Sequence, residues 1–227
     1  MKRYWLLLVA LLLVSGAVIY FVMPPSQPTY QGKRLDVWLD DLVAKQDDPQ
    51  ATAAVRAIGT NAIPYLVENI AAPFSERKQR FYYGLDKLLR HKMNLTQKQI
   101  FYPDDIRFLR AVRGFRALGS SASNAAPQLG KLLDNRMRGL GVIESLVAIG
   151  PKSLPILMAA LTNASPVVRY HALMGVAEFG PPAKPAFKLV QESLNDTNRV
   201  WGLPNSHFAA KALKSMEPAS NSAAGKP

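Results

Sequence analysis

The side chains of this sequence best suited to chemistry are three histidines and three carboxylate pairs. His91, His171 and His207 lie far apart, and none forms a His-x-x-x-His pair with a nearby acid, the spacing that turns two imidazoles toward one metal from a single helix face. An isolated histidine is expected to pack beside a helix, and His171 is read that way. Asp40-Asp41, Asp47-Asp48 and Asp104-Asp105 are the kind of pairs that acid–base catalysis uses. Yet Asp47-Asp48-Pro49 and Pro103-Asp104-Asp105 stand just ahead of apolar helical runs, where a carboxylate accepts free backbone N–H groups and meets the positive end of the helix. Capping is the expected role. The absence of cysteine excludes a disulfide scaffold, thiol catalysis, Cys-ligated zinc and iron–sulfur clusters. There is no Gly-x-Ser-x-Gly, no phosphate loop and no dinucleotide fingerprint. No catalytic residue, metal ligand or cofactor is expected, and the chain does not read as an enzyme.

The remaining chemistry is charge. The formal net charge is +12, and eleven Lys or Arg stand between Arg77 and Arg116 against Asp86, Asp104 and Asp105 alone, so the basicity is local. Phe81, Phe108 and Phe115 are among the aromatics of the same window. Basic residues interleaved with aromatics can form an anion-binding surface, and Arg77, Arg80, Arg107, Arg110, Arg113 and Arg116 are the candidate contacts for an anionic polymer, a lipid headgroup or an acidic partner. Against this, Arg107, Arg110, Arg113 and Arg116 step by three residues, so each turns about 60° backward around a helix and the end members face opposite sides. An ordinary solvated basic surface is the plainer reading.

The elements that would position these residues are helices. An apolar run ending in glycine, a few small residues, and a proline opening a second apolar run recur at Gly59 with Pro64, Gly119 with Pro127, Gly150 with Pro155 and Gly180 with Pro185. Glycine supplies the left-handed conformation that stops a helix, and proline in a first turn loses no hydrogen bond. Thr60, Ser120 and Ser153 are available to cap the second helices. The glycine intervals are 60, 31 and 30, and the midpoint of the first falls at the end of Leu85–Leu89, where a degenerate repeat is expected. A fifth helix end recurs at Leu213–Met216, after a lengthened linker over Asn195–Ser206. With no clean two-residue alternation between hairpin turns, strand content should be close to nil.

This unit resembles the short HEAT repeat of the phycobilin-lyase type, about thirty residues long, found widely in bacterial proteins. Ser165-Pro166-Val167-Val168-Arg169-Tyr170-His171-Ala172-Leu173 is similar to the way that repeat begins, and Tyr30–Leu39 resembles the segment that precedes such arrays in membrane-anchored proteins. The resemblance covers residues 30–217 and implies an α-solenoid that serves as a scaffold. It departs from the family at Lys92–Pro103, which replaces a proline-led helix.

Residues 4–23 are hydrophobic except for Ser15 and Gly16 and follow Lys2 and Arg3. As a helix this run matches a bilayer core, with the rest of the chain sent outward. A secretory signal cut after Ala17 is the rival, but Val18–Val22 continues the apolar run past that point. A buried helix of a cytoplasmic chain is the third option. The expected fold is therefore all-α, an α-solenoid of about five HEAT-like repeats behind one N-terminal transmembrane helix. Its parts are a membrane anchor or signal segment (1–23), a Pro-rich linker (24–29), an N-terminal capping helix (30–47), the repeat array (48–216) and a disordered tail (217–227). The expected function is a membrane-tethered extracytoplasmic scaffold whose protein partner lies on the concave face built from Pro64–Ala71, Pro127–Asp134 and Pro155–Leu161. Export disfavours nucleic acid, and binding of anionic polymer or lipid through 77–116 is the alternative.

Overall fold

Glycine and proline place the corners of the fold. The computed structural model describes residues 27–73, Arg80 and residues 103–217. In the first corner Asp48 Oδ1 accepts from Ala51 N at 2.9 Å and Pro49 occupies the first turn, so α2 runs Pro49–Ile58 after α1, Leu35–Ala44. This is the capping role expected of Asp47-Asp48-Pro49. α2 stops at Gly59, a 3-10 turn covers Gly59–Ala62, and α3 follows as Ile63–Ala71. The pattern recurs with α4 (Pro103–Leu118) and α5 (Ala126–Gly130), α6 (Gly139–Ile149) and α7 (Leu154–Leu161), α8 (Pro166–Phe179) and α9 (Phe187–Glu192).

The stop is not the expected left-handed helical geometry. Gly150 sits at φ 89, ψ −161 and Gly180 at φ 63, ψ −138, a region essentially closed to residues with a Cβ. Nor are the second helices capped by side chains. The 3-10 turn runs straight into each one, so Leu154 N finds Pro151 O and Phe187 N finds Lys184 O, and the early N–H groups are already satisfied. Ser153 Oγ donates instead to Leu146 O at 2.5 Å and Gly150 O at 2.9 Å, pinning the corner.

First helices pack in a row, α2 on α4, α4 on α6, α6 on α8 and α8 on a last helix, α10 (Asn205–Met216), while α5, α7 and α9 form a second row against them. α1 covers α2 and α4. Between the rows runs one apolar core, with Leu39, Leu66, Phe115, Leu129, Leu146, Leu157 and Leu173 all inaccessible to solvent. The degenerate repeat expected at Leu85–Leu89 lies outside the described residues.

Strand content is small but not nil. β1 (Thr29–Tyr30) pairs antiparallel with β2 (Lys33–Arg34) ahead of α1, and β3 (Arg199–Val200) pairs with β4 (Leu203–Pro204) ahead of α10. Each hairpin turns through two residues of positive φ, Gln31-Gly32 (50, 74) and Trp201-Gly202 (55, 85), the mirror-image turn that matches strand twist. A tryptophan in that conformation carries about 1–2 kcal/mol of strain. What read as a long linker over Asn195–Ser206 is largely the second hairpin.

The fold is mostly helical. The transmembrane helix expected over 4–23 lies outside the described residues, and no helix among those described is long and apolar enough to cross a membrane. Among the described residues the architecture is corrected to a helical array without a membrane span. The membrane-anchored, extracytoplasmic location that rested on the span loses its support.

Candidate functional site

The four arginines of α4 part company in the folded chain. Arg107 is exposed beside a shallow depression of about 360 Å³ shared with Glu68 and Asn69. Arg110 is used up structurally: its Nε donates to Asp40 Oδ1 at 2.7 Å and its terminal nitrogen to Oδ2 at 2.5 Å, a two-pronged tie from α4 to α1. Burial works against that cation, but the Asp40 hydrogen bond and charge outweigh it and raise the Arg110 pKa.

Arg113 and Arg116 come together in a groove of about 630 Å³ between α2 and α4, together with Asp47 and Arg56. Arg113 lies 3.6 Å from Glu144 Oε1, and Arg116 lies 3.7 Å from the same oxygen and 3.6 Å from Asp47 Oδ1. Those separations exceed a hydrogen bond, so the carboxylates balance charge without occupying the donors. The Gln46 amide, with its oxygen turned toward α4, accepts from Arg116 at 3.1 Å and Arg113 at 3.2 Å. Arg56 Nε donates to Ala117 O at 2.9 Å, meeting a carbonyl at the end of α4.

Of the six arginines picked out by sequence, this groove joins two. Arg77 lies outside the described residues, and Arg80 is helical and exposed. Arg56 and Gln46 were missed, although Arg56 carried a signal: it precedes Gly59 by three residues, as Arg116 precedes Gly119. In the folded chain Arg56 and Arg116 line the same groove. Farther along, burial and the neighbouring charge of Glu144 push the Glu178 carboxyl up, against the pull of Arg116.

His171 is fully buried in α8, its Nδ1 2.6 Å from Leu133 O. A Cβ added at Gly139 would lie 2.1 Å from its ring, so only glycine lets α6 approach this closely. Burial lowers the His171 pKa, opposed by the Leu133 carbonyl and the charge of Asp134. The neutral ring is a packed core group, as the sequence implied. No cluster of His, Asp or Glu suited to a metal occurs among the described residues.

A polar knot fastens the C-terminal hairpin. Asp196 accepts from Arg169 at 2.7 and 3.2 Å, from Asn205 Nδ2 at 2.8 Å, and from Asn198 N and Nδ2 at 3.1 and 2.7 Å. Burial alone would raise the carboxyl pKa, but these donors, Arg169 first, hold it well below the usual range. Comparison with protein-family models, with curated proteins and with solved structures returns no match.

Proposed function

We propose that this chain is a non-enzymatic scaffold for protein–protein interaction, built from short HEAT-type helix pairs. The observation that carries the reading is the stacking itself: each pair covers the apolar face of the next, leaving the outer face of the second-helix row as a continuous surface for a partner. Photo-cross-linkers at Glu68, Gln128 and Ala159, exposed positions of α3, α5 and α7, test the reading in the native host. They should trap one reproducible protein that a probe at Lys211 on α10 does not. Failure to trap any protein reproducibly would sink the proposal.

A second reading is favoured by one observation, the loosely held guanidiniums of Arg113 and Arg116 beside Arg56. The groove would take an anionic polymer or headgroup, displacing the Gln46 amide. Asp47 and Glu144 offset much of the local charge, which makes this the weaker claim. Titration with polyphosphate at rising salt is the test. Binding should fall steeply with salt and weaken in Arg113→Ala and Arg116→Ala, and salt-insensitive binding would remove it.

A further inference from the structure

Among the described residues seven large apolar side chains are exposed, and four of them stand on two segments that touch. Met137 (70% exposed) and Leu140 (54%) belong to the turn into α6 and its first turn, and Trp201 (58%) and Leu203 (44%) to the β3–β4 hairpin. The Arg136 guanidinium sits 5.6 Å from the centroid of the Trp201 ring, which joins them. The floor beneath is buried. Gly139 abuts His171, and the adjacent Tyr170 packs edge-on to Phe208 at 4.6 Å and clusters with Val167 and Val200.

Folding does not require a tryptophan at this turn. The N-terminal hairpin makes the same turn with Gln31, and Asn or Gly would sit there with less strain than the bulky ring at φ 55. An exposed, strained and apolar residue that the backbone does not need points to recognition, and Trp and Arg are both enriched among the residues that dominate protein interfaces. The charge around it is positive on balance. Neither Arg136 nor Arg199 has a carboxylate partner among the described residues, and Asp196 is balanced by Arg169, which leaves Asp134, bonded only to the neutral Ser165 hydroxyl, as the one uncompensated carboxylate nearby.

We propose that the face formed by Arg136, Met137, Leu140, Trp201 and Leu203 docks a segment of another protein in which an apolar side chain is flanked by carboxylates. The apolar group lies on Trp201 and its neighbours while the carboxylates meet Arg136 and Arg199. A second copy is a poor occupant, since each chain carries a formal +12. A lipid surface would hold little through two rim cations. The proposal rests on the scaffold reading and names a surface apart from the second-helix row.

The test selects phage-displayed random dodecapeptides against the full chain, then titrates synthetic copies of the winners against Trp201→Asn and Arg136→Gln variants. Asn suits the turn, so Trp201→Asn should keep or raise the melting temperature while weakening binding by about tenfold or more. Arg136→Gln should weaken it by roughly threefold, with the difference shrinking at high salt. Winners should carry Leu or an aromatic beside Asp or Glu. Peptides that bind Trp201→Asn unchanged overturn this surface yet leave the scaffold reading standing, whereas failure to select any peptide counts against both. Binding only to phosphatidylglycerol vesicles, or self-association lost in Trp201→Asn, would also overturn the proposal.

Discussion

The unit β1–β2–α1 at one end and β3–β4–α10 at the other share strand register, turn dihedrals and the bond that ties the first helical residue to the residue before the hairpin, Leu35 N to Pro28 O and Asn205 N to Asn198 O, both 2.9 Å. They are held by different forces. At the N-terminal end Leu35, Trp38, Leu39 and Leu42 are buried, and Trp38 Nε1 donates to Tyr30 O at 3.2 Å under the Lys33 ammonium. At the C-terminal end the corresponding positions are Asn205, Phe208, Ala209 and Ala212, and the Asp196–Arg169–Asn205 knot replaces the missing apolar volume. One backbone plan can thus be fixed chiefly by burial or by a polar network around one carboxylate, and the second is the more sensitive to pH.

Leu39→Ala should have the largest effect, a loss of about 3 kcal/mol in urea unfolding that is the same at neutral and acid pH. A loss under about 1 kcal/mol would mean that α1 is a dispensable lid. Asp196→Asn should lose roughly 2 kcal/mol at pH 7, because the mostly buried Arg169 is left beside a neutral group with only the Asn163 and Ala164 carbonyls to meet its charge. That difference has a pH window. With the folded carboxyl held below its ordinary value of about 4, its contribution is full above that pH and fades as the pH falls through the depressed value, since the unfolded chain takes the proton first. An equal deficit at pH 7 and pH 2.5 would break the contrast between the two ends.

His171 sharpens the same contrast. Its lowered pKa means that its contribution is full above about pH 6.5 and declines below, as the unfolded imidazole binds a proton that the buried ring resists. Hydrogen exchange at pH 4 should therefore open Asn205–Met216 before Leu35–Ala44, and the reverse order would refute the assignment. Arg110→Ala comes next, with about 1 kcal/mol or less because Asp40 is half exposed, and the effect should shrink in high salt. Smallest, Trp201→Asn should stabilise the chain by a few tenths of a kcal/mol up to about 1, and Gln31→Asn by less. Destabilisation by Trp201→Asn would assign the ring to folding after all.

The helix pairs were legible because their cues are local: a glycine with no tolerable substitute at ψ near −138 and a proline that fits a first turn both leave marks in a short window. His171 was legible as a core residue for want of any partner nearby in sequence. The hairpins escaped because Gln-Gly and Trp-Gly are not the dipeptides that advertise this turn, and two-residue strands are too short to show alternation. The groove was half legible. Arg113 and Arg116 lie on one helix, but Arg56 and Gln46 join them only through the stacking of α2 on α4, a long-range event. Spacing by three also hid the fact that Arg110 is consumed by Asp40.

Because each pair touches chiefly the pair before and the pair after, tension applied at the two ends would draw the shared apolar core apart one contact at a time. The protein should yield link by link, each unit letting go at its own force, and take up slack again in any order. A body put together this way behaves under load as a soft spring, with the four Gly–Pro corners as its coils.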